Sequence, residues 1–293
     1  VVVLKRREGQ DTKVDYKAEV NKCIRHEVEC SAAMIMEDEH KPITNKQAHA
    51  MCGHMGQEEA RAICDYYEQP ITKRGFKQCV NCGKAKAKQL AVVQGNEEHV
   101  IAGAEGHRVF VDISSVKHGP EKKKLLSKPY WLIVVLEQVN FKVSAFLNRK
   151  SEMPIKACEM IRQLNQQGVK IKFVRLDNAG ENMIFAELAS NKEWNLQLTF
   201  EFTGARTPQR NYLAEVGFAT LWGRLRAMFD AVFVPKDEKY KLIREGVHHL
   251  TFLDGLMVKT IEGVSKTKYG HVFGQDLKLK MPLRTWGEAG IVK

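Results

Sequence analysis

The 293-residue chain has no long apolar run: its longest uncharged one, Tyr130 to Leu136, falls far short of the ~20 residues a membrane helix needs. The expectation is therefore a soluble protein with no membrane partner. It also lacks an initiator Met and a signal peptide, opening directly on VVVLKRREGQ, so a piece of a longer polyprotein is expected. Cysteines number seven, an odd count without secretory context, which points away from a disulfide framework and toward reduced thiols and metal. Acidic residues are in deficit, 35 against 46 Lys and Arg, leaving a net charge of +11. A basic surplus of this size suits a polyanionic partner, because neutralising phosphates releases counterions. The length allows a sizeable core and more than one domain.

Four of the metal-type residues form a pattern: His49, four residues, His54, 24 residues, Cys79, two residues, Cys82, closed by Gly83. A Cys-x-x-Cys turn followed by Gly presents two thiolates to one ion, and two imidazoles complete the tetrahedron that structural zinc takes. On a continuous helix the two His would diverge by about 140°. Gly53 offers the break that would let them converge. A helix over Gln57 to Tyr67 would join the halves of a domain whose core is too thin without the ion. Cys52 and Cys64 are spare thiols that stand as alternative ligands. Cys23 and Cys30, seven apart on a helix over Lys17 to Met36, read as small core residues. After the Cys pair, Lys84, Lys86 and Lys88 alternate, so on an extended segment they would form a phosphate-contacting row or a solvated linker.

Three acids stand out downstream. Val109, Phe110 and Val111 end at Asp112; Ile171, Phe173, Val174 and Leu176 end at Asp177. Each run reads as a buried strand delivering a carboxylate. Glu215 lies on a helix whose apolar stripe is Leu213, Gly217, Leu221, Leu225, Met228 and Val232, and it falls off that stripe. From Arg108 the order is three strands in an antiparallel meander (108–114, 130–139, 142–148), then a helix capped by Ser151 with Ile155, Cys158, Ile161 and Leu164 inward and Gly168 at its end. The Asp177 strand, a helix over 183–192, the alternating edge strand Leu196 to Phe202 and the Glu215 helix follow. A helix from Pro235 to about Ile261 comes next, then a basic tail of short strands from Lys266.

The acid spacing of 64 and 37 intervening residues, the phrases LDNAGE and TPQRN..AE, and the upstream His/Cys cluster together resemble the integrase of copia-type LTR retrotransposons. The resemblance implies residues 1–45 as a connector, a zinc module at 46–90, a ribonuclease-H-like α/β core at 105–234 (a mixed sheet flanked by helices), and a C-terminal helix and basic tail at 235–293. It implies Asp112, Asp177 and Glu215 as catalytic ligands of Mg²⁺ or Mn²⁺, and His49, His54, Cys79 and Cys82 as ligands of Zn²⁺. The implied reaction is DNA 3′-end processing and strand transfer, with element ends and target DNA as partners, a homo-oligomer, and residence in the nucleus and a cytoplasmic virus-like particle. Asn178 and Glu181 are candidate supports for Asp177, while Gln209 and Asn211 are candidates for base contact or helix capping. The sequence departs from the family's phrases at Tyr212, where Gly is usual, and at Val216, Leu136 and Val143. A bulky Tyr212 would narrow the DNA approach, and a decayed copy that only binds zinc and nucleic acid is the alternative.

Overall fold

A computed structural model describes residues 41–72, 79–86, 106–118, 124–203, 211–232, 239–279, 283 and 285–287. The expectations for Cys23, Cys30, Lys88 and Gln209 lie outside these residues. Three short helices come first: α1 (Asn45–Met51), α2 (Gln57–Tyr66) and α3 (Val80–Lys86). Then β1 (His107–His118), β2 (Lys124–Leu136) and β3 (Phe141–Leu147) pair in the expected antiparallel order, with a tight turn between β2 and β3 in which Asn140 takes a φ of 55°. Next come α4 (Met153–Gln166), β4 (Ile171–Asp177), α5 (Gly180–Ser190), β5 (Thr199–Thr203) and the long α6 (Tyr212–Ala231). The chain continues through α7 (Ile243–Gly255), the hairpin β6 (Val258–Ile261) and β7 (Val264–Thr267), and α8 (Lys268–Phe273).

The five-stranded sheet has the order β3-β2-β1-β4-β5, with β4 and β5 running parallel to β1. This mixed sheet with helices on both faces is the ribonuclease-H-like class. The faces divide by alternation along the strands. Val109, Val111, Leu132 and Val134 bury one face under α4 and α5, with Phe185 and Ile161. Phe110, Trp131, Ile133 and Val135 bury the other face under α6 and α7, with Leu221, Leu225 and Leu250. Helix α6 comes close to the strands at Gly217, where an added Cβ would lie 2.9 Å from Ile133 Cδ1. The small residue sets the height of α6, and so of Glu215, above the sheet.

Several local expectations are corrected. Ser151 lies in a 3₁₀ turn and makes no cap; α4 starts at Met153 with Pro154 in its first turn, and Ile155 is exposed. Strand β5 begins only at Thr199, because Asn195 and Gln197 take positive φ, though Leu196, Leu198, Phe200 and Phe202 still pack on the α4/α5 side at the sheet edge. The helix expected to reach Ile261 stops at Gly255, and Val258–Ile261 is a strand turning back at Glu262 and Gly263, both with positive φ. Part of the tail expected as strands is helical: Thr267 caps α8 by accepting from the Gly270 N–H at 2.9 Å. No helix among the described residues is long and apolar enough to cross a membrane.

Candidate metal centres

Helix α1 begins with a reciprocal capping box: Thr44 Oγ1 accepts from Gln47 N at 3.2 Å while Thr44 N donates to Gln47 Oε1 at 2.8 Å. It ends at Met51, and the next turn contains two successive left-handed residues, Gly53 (φ 63°) and His54 (φ 56°). That break swings His54 back over His49. Their Nδ1 and Nε2 atoms lie 3.1 Å apart. Cys82 Sγ is 3.3 Å from His49 Nε2 and 3.6 Å from His54 Nδ1, and Cys79 Sγ is 3.6 Å from His54 Nδ1. All four donor atoms fall within 4.8 Å of one another. Ligands at the usual zinc distances of about 2.0–2.3 Å would sit roughly 3.3–3.8 Å apart at the corners of a tetrahedron. The four residues therefore fit zinc in number, type and spacing. Cys52 and Cys64 are not among them: both are fully buried, and the hydrogen bond with Cys64, together with burial, holds the Cys52 thiol well above its ordinary range.

The segment carrying Lys84 and Lys86, expected to be extended, is helical. Gly83 N donates to Cys79 O at 2.9 Å, which opens α3 directly at the Cys pair. Lys84 is exposed.

The acids arrive from three elements. In the parallel pairing of β1 with β4, Phe110 is level with Arg175, so two residues further along each strand Asp112 and Asp177 follow on the same face. That face is the one under α6. Asn211, one turn before Glu215, donates from Nδ2 to the carbonyl of Val111 at 3.2 Å, fastening the start of α6 beside Asp112. Glu215 is exposed in the first turn of α6. The convergence has an electrostatic signature: burial foremost, then the charges of Asp177 and Glu215, push Asp112 up to about 6, against the Ile113 N–H and Lys150. The acids are gathered more loosely than the His/Cys group, the one close-set donor cluster among the described residues. Three carboxylates sharing one field are a set that a divalent cation would relieve.

Asp112 Oδ1 accepts from Ile113 N at 2.7 Å, and Asp177 Oδ1 accepts from Ala179 N at 3.0 Å and Asn182 Nδ2 at 2.5 Å. Asn182, not Asn178 or Glu181, is the residue that orients Asp177. Glu181 instead pairs with Lys150 at 3.2 Å, on the turn after β3. The sequence reading missed Asn182 and Lys150; an Asn one turn into the helix after a strand-end Asp was the available signal. Asn211 stands at the expected N-cap position of α6 but makes no side-chain capping hydrogen bond; at 5% exposed, it is a buried strut between α6 and β1. Tyr212 lies edge-on to Phe110, ring centroids 5.9 Å apart, and packs against the core on that face of the sheet.

No family model matches the chain, and no curated protein matches it in sequence. Among solved structures it is similar to a chain in the cryo-EM structure of the simian T-cell lymphotropic virus intasome in complex with PP2A regulatory subunit B56 gamma, at 16% identity, covering 84% of this chain and 75% of that one, with a TM-score of 0.44. It is also similar to the crystal structure of the catalytic core domain of BIV integrase, at 15% identity, covering 58% of this chain and 95% of that one, with a TM-score of 0.38.

Proposed function

We propose that the protein is a copia-type retrotransposon integrase, a polynucleotidyl transferase that trims DNA 3′ ends and joins them to target DNA. What supports this reading most is that Asp112 and Asp177 lie on neighbouring parallel strands, on the sheet face under α6, whose first turn carries Glu215. These carboxylates would hold Mg²⁺ or Mn²⁺, which when bound activates the attacking oxygen and stabilises the leaving one. The chain's own contribution is orientation. The Ile113 and Ala179 N–H groups and the Asn182 amide fix the acids' oxygens, and Gly217 sets the approach of α6. In this mechanism the acids act as ligands, not general bases.

The His49, His54, Cys79 and Cys82 cluster would hold structural Zn²⁺, and the net charge of +11 suits element ends and target DNA as partners. Joining two ends calls for a homo-oligomer, with work in the nucleus after assembly in a virus-like particle. The test is strand transfer with Mg²⁺ or Mn²⁺ on oligonucleotides bearing the element's terminal sequence. Joined product from the zinc-loaded protein and none from Asp177→Asn supports the reading. No product from the folded wild type leaves a zinc- and nucleic-acid-binding protein without the activity.

A further inference from the structure

Helix α6, which begins with the Glu215 turn, reaches both halves of the His/Cys cluster further along its length. Arg224, only 3% exposed, donates from Nε to Gly53 O and from its NH2 nitrogen to Cys52 O, each at 2.9 Å. Those two carbonyls belong to the turn that delivers His54. Two residues further along α6, Arg226 donates from Nε and its NH2 nitrogen to Ala85 O at 3.1 and 2.9 Å, holding α3 just past Cys82. The turn is seated closely as well: a Cβ on Gly53 would lie 2.5 Å from Leu250 Cδ2 and 3.1 Å from the Arg224 NH2 nitrogen.

His54 is a non-glycine residue at positive φ, a conformation that persists where its surroundings fix it. The planar guanidinium, with donors in a fixed fork, suits two consecutive carbonyls in a way an ammonium cannot. Its third side faces Asp254 Oδ1 at 3.6 Å, so the fork itself is held in place.

We propose that Arg224 is a positioning residue for the metal cluster, and that through it ion occupancy at His49, His54, Cys79 and Cys82 governs the order of α6, the helix that presents Glu215. This rests on the zinc reading of the cluster. Linkage makes the effect reciprocal: an ion that orders the Gly53–His54 turn stabilises the helix gripping it, and loss of that helix weakens the ion's hold.

Two measurements on the full chain test the proposal. The first is amide hydrogen exchange of the wild type, zinc-loaded and after chelation, with metal content measured in parallel. Exchange at Phe218–Met228 is expected to quicken tenfold or more on chelation, together with α1 and α3, while α4 on the opposite face stays protected. Quickening confined to residues 41–86 overturns the coupling, and absence of bound zinc in the purified protein overturns the zinc reading beneath it. The second is zinc affinity of Arg224→Lys by competition with a chromophoric chelator. A loss of about tenfold or more is expected, in the range for residues that orient metal ligands. Unchanged affinity in a variant that merely melts earlier would reduce Arg224 to a packing role and overturn the assignment.

Discussion

Asp254→Asn removes the anion shared by three buried cations. Asp254 is 1% exposed, and Lys142, Arg224 and Lys268 are 4%, 3% and 2% exposed. Its Oδ2 takes Lys268 Nζ at 2.8 Å and Lys142 Nζ at 3.0 Å, and Oδ1 faces Arg224 at 3.6 Å. Burial alone would raise the Asp254 carboxyl, but Lys268, Lys142 and Arg224 outweigh it and hold the group below its ordinary value. A charge contact near 3 Å is worth roughly 5 kcal/mol at an effective dielectric of 20, against several kcal/mol to take each ion from water. The set is tolerable only with its carboxylate present. Asparagine keeps the shape and loses the charge, so the expected loss is about 3–5 kcal/mol, a large share of the ~5–15 kcal/mol that stabilises an ordinary domain. Urea unfolding of the zinc-loaded protein, followed by the fluorescence of its four tryptophans, measures it. The midpoint should fall with the slope unchanged. A loss under about 1 kcal/mol would refute the claim that this cluster joins β3, α6, α7 and α8 through one charge.

The same cluster carries a pH dependence. Burial, opposed by Asp254 and reinforced by Lys142, lowers Lys268 from 10.5 to about 8, so the unfolded chain holds this proton to a higher pH than the folded one. The cost of burying the charge is fully present below pH 8 and is relieved as pH rises toward 10.5, so wild-type stability measured against Lys268→Met should climb across that window and stay level below it. A difference independent of pH from 7 to 10.5 would contradict the assignment. Asn182→Ala removes the amide that binds both Asp177 Oδ1 and Asp177 O. Metal-dependent activity should fall about tenfold with a higher half-saturating Mg²⁺ concentration, for a stability loss of about 1 kcal/mol. Unchanged Mg²⁺ dependence would remove Asn182 from any orienting role.

What the sequence discloses here is what local chemistry determines. The runs through Val109–Val111 and Trp131–Leu136 are apolar enough to read as buried strands, and the short connection from β2 to β3, where Asn140 turns, fits the antiparallel meander. The Cys-x-x-Cys pair and the Gly53 break were legible because a metal's geometry restricts spacing. The extended reading at Lys84 and Lys86 was wrong because the helix starts at the Cys pair itself, and the helix expected to run to Ile261 was drawn too long because its apolar residues continue past Gly255 into a hairpin. The Arg224–Asp254–Lys268–Lys142 set was illegible for another reason. Its members come from four elements, and a charged residue in an amphipathic helix does not name a partner more than a hundred positions away, as Lys142 is from Asp254. At Asn211 the N-cap position was legible but its partner, the carbonyl of Val111, was not, on similar grounds.

The most direct test of the central claim, that Asp112, Asp177 and Glu215 form one divalent-metal site for phosphoryl transfer, is Mn²⁺-dependent nicking of supercoiled DNA. The zinc-loaded wild type is compared with Asp112→Asn, Asp177→Asn and Glu215→Gln, with zinc content and melting temperature recorded for each. The account predicts nicking by the wild type and a loss of at least about a hundredfold in every variant, with zinc and fold retained. Full activity in any one of the three variants, or none in the folded wild type, would contradict it.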